Sequence, residues 1–581
     1  MKFREVISAL NEILTGRLKL KLMLGIITQI FASLLDFAAI LLFGLLGLMI
    51  LSPYALNSDS TIMARIFQAT PLPDFSMRVQ AVIVGTLVIT FFSVRSATYL
   101  LVTKRTNRFL VEFSSELSAK TMRELFSLNL DLVRKYSSQE MSAYLLSGVN
   151  ALCVRFLGSS FTLVSDMILI GVVVIGLCAV NPMTALLALT LFGGMGFLVY
   201  QLSHGKVTRG SETDLRESIL ANARVLEMFK GYKELKIFGS YEKYIEDIRR
   251  SKQKATSAVV NLNLLPIVNK ALFEIFTLLC LFAFGAITFA IFSQEEAVGQ
   301  LSVFLAASTR LAPSFLRLQQ SFLTLKASSV GASGAIELHR SIQSAKSQIL
   351  EDSNLDDSNL EVTAENNIIE LREVDLIVDG EYILSDVNLD VRKGERVAIV
   401  GDSGSGKSTL LDLMMGLRSP TAGKVFLAKG NPSEIVNGKS IKIGFVPQTV
   451  SVFSSSLRDN VVLGRQGIPD ESVKSALIDA NLQKLMIESN WNLDMPLGEK
   501  SRALSGGEAQ RLGIARALVG SPDILFLDEI TSSLDEENEK MVIESIVALP
   551  QSVTVVAVTH SISSWPIFER IFRVHGRRVE K

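Results

Sequence analysis

The feature that most restricts this chain is a series of long apolar runs, nearly all of them before residue 330. A bilayer's hydrocarbon core is ~30 Å thick and takes about 20 apolar residues to cross as a helix. Six runs fit: 20–51, 80–103, 158–180, 183–203, 267–293 and 297–325. The last is the most polar, because it carries Arg310 and Arg317. In lipid every backbone polar group must be satisfied within its own segment, so an all-α polytopic bundle is the expected fold of residues 1–330. No cleaved signal is expected, since the first run is too long for one. The leading MKFREVISALNEILTGRLKLK reads instead as an amphipathic helix at the interface.

Basic residues orient the bundle. The stretch 104–157 holds Lys104, Arg105, Arg108, Lys120, Arg123, Arg134, Lys135 and Arg155, and 204–266 is richer still. Asn181-Pro182 and Ser293–Ala297 hold no Lys or Arg. The two basic stretches and both termini are therefore expected on the cytoplasmic side of a cell (inner) membrane. Both stretches are far longer than ordinary connections and keep helical periodicity. They read as membrane helices continued into the cytoplasm as antiparallel pairs, turning near Leu130–Tyr136 and Gly231–Tyr241. A separate soluble subdomain in each is the alternative.

With 581 residues, the chain has room for more mass than the bundle uses. Lysine plus arginine and aspartate plus glutamate both total 58, a formal net charge of zero, which argues against nucleic acid as the main partner. The apolar share is 48% and mean hydropathy +0.36, and three cysteines cannot build a disulfide framework. Residues 331–365 are expected to be an acidic linker, with six acids and no base in 351–365. From 366 to 581 short apolar strands alternate with helices, the pattern of an α/β domain.

That domain carries the chemistry. Gly401-Asp402-Ser403-Gly404-Ser405-Gly406-Lys407-Ser408 fits GxxxxGK[ST], with strand ERVAIV before it and helix STLLDLMMGL after it. Glycines let the backbone N–H groups curl toward phosphates at a helix N-terminus. Lys407 would neutralise the β- and γ-phosphates, Ser408 would hold Mg²⁺, and Thr409 completes the first turn of the nucleotide-binding segment. After strand ILFL, Asp528 suits a metal-side carboxylate and Glu529 the polarisation of an attacking water. An acid pair after a strand is otherwise a solvated turn; the upstream phosphate loop favours the catalytic reading. Gln448 ends a strand within reach of Mg²⁺ or the water. Ser505-Gly506-Gly507 opens a helix with a free N-terminus, and His560 follows strand SVTVVAVT, where it can donate to a γ-phosphate.

Taken together, the phosphate loop, Gln448, Leu504–Glu508, Leu525–Glu529, Ser533-Leu534-Asp535 and His560 resemble the motif set of an ATP-binding cassette ATPase. With six spans ahead of it, the chain is similar to an ABC exporter half-transporter. The resemblance implies a dimer, expected to be a homodimer. ATP would lie between the phosphate loop of one chain and Ser505, Gly506 and Gly507 of the other. It also implies that the tips of the helical extensions dock on the nucleotide domains. There are two departures. Where the family stacks adenine on an aromatic residue this chain aligns Val378, with Tyr382 nearby as the candidate; and the signature ends in Glu508 rather than glutamine.

Ionisable groups inside spans are costly and point to function. Asp36, Arg95, Asp166, Glu274, Arg310 and Arg317 lie in or near the spans, and Lys270 opens the fifth. The acids pairing with the bases is one reading; basic groups facing a cavity that takes a phosphate or pyrophosphate head is the other. SLLDFAAILLFG, VRSATYL, NKALFE and STRLAPSFLRL resemble the membrane half of lipid-linked oligosaccharide flippases. That resemblance implies substrate contacts at Arg95, Lys270 and Arg310, and ATP-driven flipping or export of an anionic lipid-linked oligosaccharide or polysaccharide. Export of peptides, hydrophobic drugs or other lipids is the alternative.

Overall fold

In a computed structural model of the chain, residues 16–51, 75–180, 182–291, 294–356, 366–428, 430, 441–488, 490–498, 502–531, 536–560 and 565–580 are described, with isolated positions before 16. Most of the expected amphipathic segment, the last part of the acidic linker (357–365) and Ser533-Leu534-Asp535 lie outside them. The described residues form two compact units: Met1–Leu125 with Tyr136–Ser344, and Phe126–Lys135 with Ala345–Lys581.

The first unit is helical. Helices α1 (Gly16–Leu51) and α2 (Met77–Phe126) are followed, beyond the short α3 (Leu130–Arg134), by α4 (Ser138–Ser142). After α4 come two π-helical segments, Ala143–Gly148 and Ala151–Phe156, and then α5 (Leu157–Val180). Next are α6 (Pro182–Lys230), α7 (Tyr232–Phe238), α8 (Tyr241–Ile291) and α9 (Gln294–Asp356). Each expected span falls on its own long helix. Among the described residues four helical stretches are long and apolar enough to cross a membrane: Lys19–Ala39, Arg78–Phe126, Ser138–Cys178 and Tyr241–Ile291. The spans expected at 183–203 and 297–325 lie on α6 and α9, outside that set.

Helix length explains the extensions. At ~1.5 Å per residue, the 51 residues of α8 reach about 77 Å, more than twice the ~30 Å of a hydrocarbon core. The polar surplus must project beyond it. The turns have local causes. Ser137 caps α4 in a capping box: its hydroxyl accepts from the Glu140 N–H, and the Glu140 carboxylate accepts from the Ser137 N–H at 2.9 Å. Gly239, at φ +63, ends α7 in the left-handed conformation that glycine adopts without steric cost. Small residues let α9 meet the π-helical stretch. A Cβ on Gly334 would sit 2.1 Å from the Tyr144 ring, and one on Gly148 3.0 Å from Ala335. The core between spans mixes aliphatic and aromatic side chains, with Phe284 and Phe304 stacked at 4.2 Å. Ile175, Phe197, Leu278 and Phe282 point outward and stay exposed, as lipid-facing side chains do.

The boundary expected at residue 330 falls inside α9, which continues to Asp356 through the first acids of the segment read as linker. Nothing in 331–356 breaks the helix, and acids tolerate a solvated helical face as well as a loop.

The second unit is α/β. A three-stranded antiparallel sheet joins β1 (Asn367–Val378), β2 (Glu381–Arg392) and β4 (Ala422–Leu427) in the order β2-β1-β4. A six-stranded sheet is built from β3 (Arg396–Gly401), β5 (Ile443–Val446), β6 (Ile524–Asp528), β7 (Thr554–Val558), β8 (Arg570–His575) and β9 (Arg578–Glu580). Its order is β5-β6-β7-β3-β8-β9, parallel except for β9. Strands β3, β6 and β7 are buried almost throughout, as parallel strands covered on both faces must be. The order fixes the site. Four adjacent strands deliver Gln448, Asp528-Glu529, His560 and the phosphate loop, in that sequence, from their C-terminal ends.

Candidate nucleotide site

The phosphate loop leaves β3 at Gly401 and enters α10 (Lys407–Met414) at Gly406. Three of its positions require glycine for its backbone freedom: φ is +154 at Gly401, +79 at Gly404 and +101 at Gly406. At Gly401 space forbids a side chain as well, because a Cβ would lie 2.3 Å from the Val574 carbonyl oxygen. Asp402, Ser403 and Gly404 are exposed at the loop's crest, and Thr409 is half-buried in the first turn of α10.

Lys407 is buried, its side chain 4% exposed, and its ammonium donates to the loop carbonyls of Gly401 at 3.0 Å and Asp402 at 2.9 Å. It lies 3.6 Å from Glu529 Oε1. The Ser408 hydroxyl donates to Asp528 Oδ1 at 3.0 Å. Burial holds the Asp528 carboxyl above the usual carboxylate range and the neighbouring Glu529 charge adds to this; the Ser408 hydrogen bond and Lys407 pull the other way. Glu529 adopts φ +48, rare for a residue with a side chain, and its N–H donates to the Val558 carbonyl at 3.0 Å. Its carboxylate is held on both sides, by Gln448 Nε2 at 2.8 Å and by His560 Nε2 at 2.8 Å. Gln448, Lys407, Ser408, Asp528, Glu529 and His560 thus form one contiguous set.

The donor set suits a nucleoside triphosphate with Mg²⁺. Ser408 and Asp528 offer hard oxygens, the kind Mg²⁺ prefers. Among the described residues the buried Ser405 hydroxyl has no hydrogen-bond partner, in the middle of a loop shaped to surround phosphate.

Tyr382 is 44% exposed at the start of β2. Its neighbours Ile383 and Leu384 lie within 3.4 Å of the place a Gly406 Cβ would take, so the strand brings Tyr382 alongside the loop. Ser505 caps α14 (Gly506–Leu518) in a second capping box, with Glu508 at its third position. Burial would raise the Glu508 pKa, but hydrogen bonds from Ser505 and the charges of Arg502 and Arg511 outweigh it and hold it below the usual range. A glutamate in place of glutamine therefore strengthens the cap. Ser505 and Gly506 are exposed, and among the described residues nothing beyond the helix's own backbone and its chain neighbours lies within 4 Å of a Cβ built on Gly506.

Two features near the site had no local signal in the sequence. The first is the α3 tip, which folds with the second unit. The Leu130 N–H donates to the Leu417 carbonyl at 2.7 Å, Asn129 to the Ser419 hydroxyl at 2.6 Å, and Arg134 to Asp412, on α10, at 3.4 Å. The nearly buried Arg418 pairs with Asp131. The second is a knot around Arg516 on α14. Its guanidinium donates to the carbonyls of Asn460 and Ser451 and to Asn460 Oδ1, and lies over the Phe453 ring. Asn460, fully buried, in turn holds both backbone groups of Phe453. Burial beside Arg465 pushes the Arg516 pKa down to about 10.

In the helical unit the expected substrate residues sit on different helices. Arg95, on α2, is half-buried with its guanidinium 5.2 Å from the Tyr99 ring. Lys270, on α8, is exposed and 3.8 Å from Glu274 on the same helix. Arg310 is on α9, with its side chain, like that of Asp36, outside the described residues. Arg317 pairs with Asp166 of α5 at 2.7 Å and with Ser314. An acid on another helix therefore pairs with Arg317, whereas the contact of Lys270 is an exposed one within its own helix.

Residues 384–532 match the family model described as ABC transporter. An ATP-dependent lipid A-core flippase of Neisseria gonorrhoeae is 38% identical over 202 residues, 35% of this chain and 32% of that protein. A protein of Staphylococcus aureus named for multidrug export, an ATP-binding/permease protein, is 39% identical over 183 residues, 31% of this chain and 32% of its own length. These alignments span about a third of the relatives' length. A bacterial Atm1-family ABC exporter with ATP bound superposes with a TM-score of 0.72 at 21% identity, covering 96% of this chain and 95% of the other. With that likeness running the length of both units, the chain has the fold of an ABC exporter half-transporter: a helical membrane-type domain followed by an ABC transporter ATP-binding domain.

Proposed function

We propose that two copies of this chain form a transporter of the cell (inner) membrane, with both termini cytoplasmic, that hydrolyses ATP to move an anionic amphiphile, of the lipid-linked oligosaccharide or polysaccharide kind, across the bilayer. The observation that carries the ATPase reading is the carboxylate of Glu529, held by Gln448 and His560 within 3.6 Å of the phosphate-loop lysine. Lys407 and the loop N–H groups bind the phosphates. Ser408 and Asp528, with Gln448, would hold Mg²⁺, which would neutralise charge on the phosphates. Glu529 orients and deprotonates the attacking water, and His560, on the opposite side of that carboxylate from Gln448, fixes its direction. Ser505, Gly506 and Gly507 meet the γ-phosphate of the other copy, which accounts for a capped helix N-terminus left exposed. Tyr382 stacks on adenine. Closure around two nucleotides moves the α3 tip with α10, and the spans respond by alternating access.

Arg95 carries the substrate reading, a guanidinium inside a span whose charge persists at any physiological pH. Arg310 lies on another span, and Lys270 joins them once its weak, exposed pairing with Glu274 opens. A second reading, export of uncharged drugs or peptides, is favoured by the neutralised Arg317–Asp166 pair. Proteoliposomes decide between them. A polyprenyl-pyrophosphate glycan should raise ATPase activity in the unaltered protein and fail to do so in Arg95→Ala, while stimulation by drugs alone would favour the second reading.

A further inference from the structure

A groove of about 980 Å³ runs between α6 and α8 within the polar extension, lined by none of the nucleotide-site residues and not by Arg95. It is not uniform along its length. At one end it is lined by Leu262, Leu264, Leu265 and Val268; Leu264 and Val268 are 48% and 51% exposed, and Val268 lies where the fifth expected span begins. Lys206 and Arg209, on α6, flank that same end, since Gly210 faces Leu262, while Arg250 and Lys254 line the far end. From Val268 to Arg250 the helix rises roughly 27 Å at ~1.5 Å per residue, so the groove leads from the span boundary into the polar extension. Gly210 makes it possible: a Cβ there would sit 3.1 Å from Leu262, so the bare backbone lets that side chain form the floor.

Charge does not cancel inside it. Arg250 shares Glu246 with Arg249, and Lys254 lies 4.0 Å from Glu217. Lys206 and Arg209 have no carboxylate within 4.0 Å among the described residues. Apolar side chains at the span boundary, flanked by two cations without carboxylate partners, are complementary to a molecule with acyl chains at one end and a negative head at the other.

We infer that this groove binds the headgroup of an anionic lipid drawn from the leaflet beside the extensions, with the acyl chains left along Leu264 and Val268. The inference rests on the reading that 183–203 and 267–293 cross the bilayer. It adds a lipid site separate from the intramembrane arginines.

The test titrates the purified full-length protein with phosphatidylglycerol and counts bound lipid by native mass spectrometry, with phosphatidylcholine and soluble glycerol phosphate as comparison ligands. The tightest phosphatidylglycerol site should weaken on the order of 30-fold in the Lys206→Ala/Arg209→Ala double variant, the weight of two cations at an anionic headgroup. Phosphatidylcholine binding and basal ATPase activity should not change, and Lys206→Arg should bind as the unaltered protein does. An unchanged dissociation constant, or equal binding of phosphatidylcholine, overturns the proposal. Displacement by excess glycerol phosphate would make the site a reader of free anions and overturn the lipid assignment. The parent reading fails separately: a protein released from membranes by alkaline carbonate would not cross the bilayer at all.

Discussion

At the scale of single residues, the site is organised around one strained backbone. Glu529 at φ +48 costs about 1–2 kcal/mol, and its carboxylate is correspondingly over-determined, with Gln448 and His560 on either side. Replacing it with glutamine keeps shape and hydrogen bonds but removes the base. Phosphate release by Glu529→Gln should fall by roughly 10²–10⁴-fold while ATP binding survives; a loss under tenfold would reject the assigned role. Gly401→Ala tests geometry, since its Cβ would collide with the Val574 carbonyl at 2.3 Å. It should lose ATP binding and lower the melting temperature of the nucleotide domain. Glu508 tests the cap. Its folded pKa lies below the ordinary glutamate value of 4.5, so its contribution to stability is fully present above that value and disappears as pH falls through the folded pKa. Glu508→Gln should therefore melt earlier than the unaltered protein near pH 7, with the gap closing under acid. A gap independent of pH would mean that the carboxylate charge is not what holds the signature helix.

Elements explain how nucleotide could be felt elsewhere. The α3 tip grips the segment just after α10, through Leu417, Arg418 and Ser419, and reaches α10 itself at Asp412. Helix α10 begins at Lys407, so a shift of the phosphate loop is transmitted to the tip through a few residues of rigid helix. Asp131→Ala leaves Arg418 buried without its carboxylate. Basal ATP hydrolysis should persist while stimulation by transport substrate is lost; retained stimulation would show that the tip is not the link. The Arg516 knot ties the segment after Gln448 to the signature helix, so Arg516→Ala should cost about 2 kcal/mol and lower kcat more than it changes KM. The reach of sequence reading is visible in the same parts. Phosphate loop, acid pair and capped signature are local patterns whose spacing alone displays them, and the long helices follow from apolar runs too extended to be anything else. The α3 contacts and the Asn460–Arg516 knot join residues far apart in sequence, and no spacing rule encodes such meetings. The acidic stretch at 351–356 read as linker because charge density is ambiguous between a loop and a solvated helical face.

For the whole molecule, the account requires two copies. One chain carries a phosphate loop with Glu529 beside it, and it also carries a capped helix with an exposed N-terminus, where no described atom beyond the helix's own backbone and its chain neighbours lies within 4 Å of a Cβ on Gly506. Neither is complete alone if the signature is to contact a γ-phosphate. The most direct test is the mass and nucleotide content of purified full-length Glu529→Gln incubated with ATP and Mg²⁺. The account predicts a stable dimer retaining one unhydrolysed ATP per chain, which falls apart or releases nucleotide when Ser505→Arg is added. A monomer, or a dimer holding no triphosphate, would contradict it.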